Sequence, residues 1–269
     1  MSKDLTVYKL EFPNIKKLDE YMNKRYSQNF HIDTLGRLQE DYYKNIRENI
    51  DNCFKLQDEI LVELFKKHSD ISIKTTFLRV KLLNEFYSTN VPDVCIYTIA
   101  RKIANNSELY KLILKPANDK DKKKAVDFIS TLLTDKIFKD EDGTPLAKEI
   151  YSFATKFCHF SNPMKFSIYD QYVAKILRDY IKKHIQKFMP VILDYNKQHK
   201  ENEINTNKPT QESINKALKD YEFFIKSIDM FIALSNVSDK HIRLKVDNYL
   251  WLAGMMKYRT TSRFNSNNK

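Results

Sequence analysis

The sequence predicts a mainly α-helical protein, and three observations carry that reading. Only 3 Gly and 7 Pro occur in 269 residues, too few turn-formers for a sandwich or barrel with many tight hairpins. Apolar residues recur at helical spacing through most of the chain, and no alternating strand pattern runs longer than a few residues. Hydrophobic residues make up 42%, with 16 Tyr and 17 Phe, so a core can be buried and global disorder is not expected. The length suits one large domain or two lobes with a shared core.

Residues 1–35 have no decisive period. Leu38, Tyr42, Ile46 and Ile50 then fall on one stripe, followed by Phe54, Ile60, Leu61 and Leu64, which predicts one long helix or two over 37–67. Phe77, Val80, Leu83 and Phe86 share a face over 74–88. In the polar step after it, Thr89 or Asn90 can cap, and Pro92 suits the first turn of a helix reaching about Ile103. The run Lys115 to Lys124, dominated by Lys and Asp, opens a helix over 120–134. The stretch from Asp140 through Gly143 to Pro145 reads as a turn. A helix over 146–159 follows, broken by the segment His159 to Pro163. Another starts near Asp170 and is expected to end at about 188, ahead of Pro190. Residues 196–212 are polar and read as a flexible excursion. Helices over 211–235 and 239–257 complete the chain, and the tail carries Lys257, Arg259, Arg263 and Lys269 with no acid.

Lys+Arg number 46 and Asp+Glu 35, a net charge of +11. General solubility, or the Lys/Asn/Ile bias of an AT-rich genome, accounts for this as well as a polyanionic partner does; among such partners nucleic acid comes first. Cys53, Cys95 and Cys158 are isolated, so a four-Cys metal or iron–sulfur cluster cannot form within this chain. Their odd number argues against a disulfide framework and for a reducing, cytoplasmic setting. The start Met1-Ser2-Lys3-Asp4 does not read as a secretory leader. No window approaches ~20 apolar residues, so no membrane partner is expected. His31, His68, His159, His184, His199 and His241 are scattered without metal-ligand spacing, and no Gly-rich nucleotide loop exists; no metal or other cofactor is expected.

Chemistry concentrates in Phe166-Ser167-Ile168-Tyr169-Asp170, which enters a helix whose buried side holds Val173, Ile176 and Leu177. An Asp at a helix start is an ordinary cap, and the dipole there favours its ionised form. With its surroundings, this step resembles the catalytic-aspartate segment of the helix-hairpin-helix DNA glycosylase superfamily. Ser167 stands where that family usually has Pro, and Lys175-Ile176-Leu177 where it has Arg-Val-Leu. Upstream, Tyr87-Ser88-Thr89-Asn90-Val91-Pro92-Asp93 is similar to the family's loop whose Gln or Asn fills the space left by a flipped base. Counting back 18 residues from Asp170 reaches Ser152, the place of the family's Schiff-base Lys; a Ser there resembles the monofunctional, adenine-type members. Lys156, one helical turn on, shares a face with Ser152. It is either a candidate amine in a shifted register or a phosphate or acid contact. Where the family has a Gly-rich hairpin, this chain has Leu146-Ala147-Lys148-Glu149-Ile150, a degenerate hairpin in which Lys148 would replace backbone donors.

The resemblance covers about residues 84–180 and implies a two-lobed helical glycosylase-like fold. A central lobe over 89–180 would stand beside an N-terminal part, 1–88, packing with a C-terminal part, 181–269, the latter including flexible 196–212 and the basic tail. It implies a monomer acting on double-stranded DNA, with Asp170 stabilising the sugar cation and activating water, and with Ser152 and Lys156 beside it. Asn90, Ser88, Lys148, His159 and Lys175 would contact DNA, and Tyr87, Tyr151 and Trp251 would line the base pocket. For His159 a buried hydrogen bond, and for Trp251 core packing, are the structural alternatives. The excised base, damaged or a modified base of foreign DNA, is left open. The glycine-free hairpin keeps a second reading open: an inactive scaffold that binds DNA or a protein.

Overall fold

The computed structural model describes residues 10–25, 56–66, 71–87, 89–134 and 149–266, with side chains described to Glu20 in the first helix and to Tyr258 in the last. Among these residues every regular element is a helix and no strand occurs, as the composition predicts. The chain forms two units: Tyr26–Tyr169, and the two ends together, Met1–Arg25 with Asp170–Lys269. The sequence reading set its boundaries near 88 and 180 instead.

The first helix in chain order, α1 (Ile15–Arg25), belongs to the unit of the chain ends, and the described helices of Tyr26–Tyr169 begin with α2, over 56–66. The helix expected over 37–67 is present over 56–66, and its earlier part lies outside the described residues. α3 (Ile73–Tyr87) and α4 (Asp93–Ala104) pack as an antiparallel pair around Val80, Leu83, Cys95, Ile96 and Ile99, all at most 2% exposed. Neither Thr89 nor Asn90 caps α4; Pro92 occupies the cap position in extended backbone (φ −60°, ψ 137°), with no side-chain cap bond. Between α4 and the Lys-rich segment lies a helix the periodicity reading passed over, α5 (Ser107–Leu114), whose start is set by Asn106 accepting from the Leu109 N–H at 2.9 Å. α6 (Asp119–Ser130) begins at Asn118, which accepts from the Asp121 N–H at 3.0 Å, and ends four residues before the expected 134. The Asp140–Pro145 turn and residues 146–148, Lys148 included, lie outside the described residues. α7 (Tyr151–Ser161) starts after 149 and 150, which are not helical, with the Ile150 N–H donating to Ser130 O at 2.9 Å, and reaches past His159.

In the unit made by the chain ends, α8 (Gln171–Lys183) packs on the long α12 (Ile242–Ser266), on α9 (Ile185–Gln198) and on α10 (Gln211–Ala217). α1 (Ile15–Arg25) lies on α12, with Leu18 fully buried. The expected stop at Pro190 is corrected: the chain breaks earlier, at His184, and Pro190 is carried within α9. Pro190 sits in the second turn, so its missing N–H leaves only the carbonyl of exposed Gln186 without its helical donor, and water can serve it. Within residues 196–212, expected to be a flexible excursion, one anchor is present. Asn196 donates to Ile204 O at 3.0 Å and accepts from its N–H at 2.9 Å, and Ile204 is 1% exposed. The helix expected over 211–235 is two, because Asp220 accepts from the N–H groups of Glu222 and Phe223 and starts α11 (Tyr221–Ser235) afresh. The basic tail is helical as far as Ser266.

Candidate functional site

Three short constructions put the chemistry-bearing residues in place. The first is the face of α7 that meets the link 162–169. Thr155, fully buried, accepts from the Tyr169 N–H at 3.1 Å, and His159 Nδ1 donates to Phe166 O at 2.8 Å. A carbonyl only accepts, so Nδ1 carries the proton in that bond. His159 is 4% exposed, the buried hydrogen-bonded arrangement that was one of its two readings. Asn162 Nδ2 donates to Ile113 O and Leu114 O at 3.0 and 3.1 Å, closing the link onto α5. The peptide that delivers Tyr169, and with it the backbone entering Asp170, is thus held at several points.

On the same helix Lys156 Nζ donates to Ser152 Oγ at 2.6 Å. Lys156 is 5% exposed, and its Nζ stands 5.9 Å from the centre of the Tyr87 ring. The Tyr87 hydroxyl donates to Asp58 at 2.7 Å, and its ring meets Phe160 edge-on at 5.5 Å. Asp58, Tyr87, Lys156 and Ser152 therefore form one network across α2, α3 and α7. Its amine polarises a half-buried hydroxyl, and the aromatic face lies where a cation is attracted. Tyr151 packs against Tyr169 with ring centres 4.8 Å apart. Cys158 is fully buried, which pushes its thiol above the usual range and makes it a poor nucleophile.

The second construction is the loop between α3 and α4. Asn84 Nδ2 donates to Val91 O at 2.9 Å, while Asn84 Oδ1 accepts from the Val91 N–H at 2.9 Å and from the Thr89 hydroxyl at 2.7 Å. Within this clamp Asn90 is exposed and adopts φ 57°, the left-handed region that Asn tolerates better than most residues. Lys81 donates to Asp93 at 2.9 Å, and that hydrogen bond holds the Lys81 amine above its usual range. Ser88 lies outside the described residues.

The third is the start of α8. Asp170 is its N-cap, in extended backbone (φ −136°, ψ 155°), and Oδ1 accepts from the Tyr172 N–H at 2.8 Å. The residue is half-buried, and Oδ2 takes no hydrogen bond among the described residues. This first turn rests against α12 at Gly254: a Cβ there would lie 2.3 Å from Tyr172 O. Lys175, on α8, places Nζ 5.6 Å from the Tyr258 ring, so its described contact is with α12. Trp251 is half-buried on α12.

Comparison with known proteins reaches only part of this arrangement. The family described as HI_0787_N, N-terminal domain, matches residues 38–165. An uncharacterized protein of Haemophilus influenzae is 28% identical over 138 residues, covering 47% of this chain and 61% of that protein. The chain thus matches about three fifths of that relative's length. No solved structure matches. The family match falls wholly within the unit Tyr26–Tyr169. It includes Tyr87, Asn90, Tyr151, Ser152, Lys156 and His159, and stops five residues short of Asp170.

The structure thus brings Ser152, Lys156 and Tyr87 together and, through Phe160, sets His159 beside them, the His159 and Phe160 rings being 5.7 Å apart. Asp170, Lys175 and Trp251 belong to the other unit. Sequence reasoning passed over Thr155, Asn84 and Asp58. Thr155 stands three residues after Ser152 and four after Tyr151, so helical spacing alone could have flagged it. Nothing local marks Asn84 or Asp58, because each acts across a turn or between helices. Among the described residues no group of three or more His, Cys, Asp or Glu is placed to hold a metal ion. No helix among them is long and apolar enough to cross a membrane.

Proposed function

We propose that the protein is a DNA glycosylase that releases a damaged or modified base by hydrolysis of its N-glycosidic bond. The observation that carries this reading is Asp170: one carboxylate oxygen is fixed by the Tyr172 N–H, and the other takes no hydrogen bond among the described residues. A carboxylate held this way at a helix start is preorganised to stabilise the positive charge that develops on the sugar and to orient a water. Extruding the base costs a few kcal/mol. Asn90, exposed at the tip of a clamped loop, is suited to fill the vacated site. Ser152 in the Schiff-base position makes the enzyme monofunctional, leaving an abasic site. Lys156 serves to polarise Ser152, given its 2.6 Å bond to that hydroxyl.

The test is incubation with duplexes carrying a panel of modified bases, with released bases identified by mass spectrometry. Asp170→Asn keeps a good cap and should lower single-turnover base release at least ~1,000-fold, a loss of about 4 kcal/mol of transition-state stabilisation, while sparing DNA binding. Full turnover in that variant removes Asp170 from the chemistry. No released base from any duplex, with binding retained, leaves a DNA-binding module.

A further inference from the structure

The unit made by the chain ends carries a group of cations that make no ion pair with a carboxylate among the described residues and take no part in the Asp170 chemistry. Where α8 gives way to α9 the chain reads Lys182-Lys183-His184-Ile185-Gln186-Lys187, and no acid occurs between Asp179 and Asp194. Segment 10–17 packs onto this junction. His184 Nε2 donates to Leu10 O at 2.7 Å, and the Tyr180 hydroxyl donates to Glu11 O at 2.9 Å. The Phe12 ring lies 5.0 Å from the His184 ring, and Lys187 Nζ is 5.2 Å from the Phe12 ring centre. Lys17 Nζ stands 5.9 Å from the ring of Tyr249, whose hydroxyl is 2.8 Å from that of Tyr180. Lys16, Lys17, Lys182, Lys183 and Lys187 are thereby gathered around one junction.

None of these five lysines makes an ion pair with a carboxylate among the described residues, whereas Asp19, Asp179 and Asp194, on the same helices, are taken by Lys245, Lys257 and Lys226. Glu11 and Glu20 are the other acids of the segment and α1. Lys182 and Lys183 complement the C-terminal end of the α8 dipole, and Lys17 and Lys187 lie over the Tyr249 and Phe12 rings, but none of these contacts neutralises the charge the five lysines gather. Four of the five are exposed and Lys17 is half-buried.

We propose that this junction is a phosphate-contact surface for the backbone of a nucleic-acid duplex. Lysines without carboxylate partners among the described residues, brought from two segments and without bidentate geometry, suit a chain of phosphates rather than one fixed anion. A membrane surface fits less well, because insertion needs exposed apolar side chains beside the cations. Phe12 is instead packed against Tyr180, His184, Phe188 and Phe231, which leaves Ile15, 38% exposed, as the large apolar side chain that segment 10–17 presents, too little for insertion. The inference rests on the nucleic-acid part of the reading above and is independent of base excision.

The experiment measures binding of an unmodified 20-base-pair duplex to the full chain across a salt series, with vesicles containing phosphatidylserine as the second arm. Each phosphate contact contributes about 0.9 to the slope of log K against log salt. The triple variant Lys182→Gln, Lys183→Gln, Lys187→Gln should therefore flatten the slope by about 2.7 and weaken binding at least ~10-fold at low salt. A control with the same change of net charge, Lys200→Gln, Lys208→Gln, Lys219→Gln, should keep the wild-type slope. Equal losses in the two triples, an unchanged slope in the first, or no salt-dependent duplex binding by wild type overturns the proposal. So does binding to vesicles but not duplex. Base release at saturating protein is read separately: it stays intact if only this surface is misassigned, and is absent throughout if the excision reading fails.

Discussion

Gly254 offers the sharpest test of how the start of α8 is held. A Cβ at this position would stand 2.3 Å from Tyr172 O and 2.7 Å from Tyr172 C. The first distance is about 1 Å short of an ordinary C···O contact. The obstructing atoms are backbone in the first turn of α8, so no side-chain rotation relieves them, and Gly254→Ala must push α12 from α8. Overpacking of this kind costs about 2–3 kcal/mol. For a chain of this size about 1 kcal/mol lowers the melting temperature by 2–4 °C, so the variant should melt about 5–10 °C below wild type. Circular dichroism gives the melt. Trp251, the only Trp, lies on α12 three residues before Gly254, so its emission reports the displacement directly. A melting temperature within about 1 °C of wild type, with unchanged Trp emission, refutes the close approach.

Asp179 governs a second, pH-dependent contribution. Burial raises its pKa, but hydrogen bonds from Lys257, Tyr258 and Arg178 outweigh burial and hold it below the usual carboxylate range. The folded state therefore binds fewer protons than the unfolded state. The stabilisation is complete above the unfolded value of about 4 and is lost as pH falls through the lower folded value. Asp179→Asn should cost about 2–4 kcal/mol at neutral pH and flatten the acid limb of stability against pH; urea melts at several pH values check it, and an equally steep acid limb would exclude Asp179 as a contributor. Thr155→Val removes the acceptor of the part-buried Tyr169 N–H and should cost about 1–3 kcal/mol. That appears as a lower urea midpoint with an unchanged slope, and Thr155→Ser should restore most of it. Asn90→Gly, at φ 57°, should leave stability within about 0.5 kcal/mol, whereas Asn90→Ala should cost about 1 kcal/mol. Equal melting of these two variants would argue against the left-handed loop.

The sequence by itself determined the helical class, the helices α3 and α4 nearly to their ends, and the start of α8 with Asp170 at its cap. These follow from interactions within a few residues: apolar stripes at a period near 3.6, and a carboxylate reaching an N–H two positions on. The errors share one cause. α5 is short, and its three buried residues, Leu109, Tyr110 and Ile113, are legible as a face only once α6 and α7 are in place to cover them. Pro190 marks no helix end, and the break falls at His184, whose ring bonds Leu10 O, 174 residues away in the chain. The anchor at Ile204 is a single apolar residue in a polar run, so no period marks it. Only the tertiary structure decided that the Lys156–Ser152 pair meets the Tyr87 ring, that Tyr87 in turn bonds Asp58, and that lysines of segment 10–17 and of the α8–α9 junction come together. Side chains distant in sequence meet through packing, and no local period encodes which of them will.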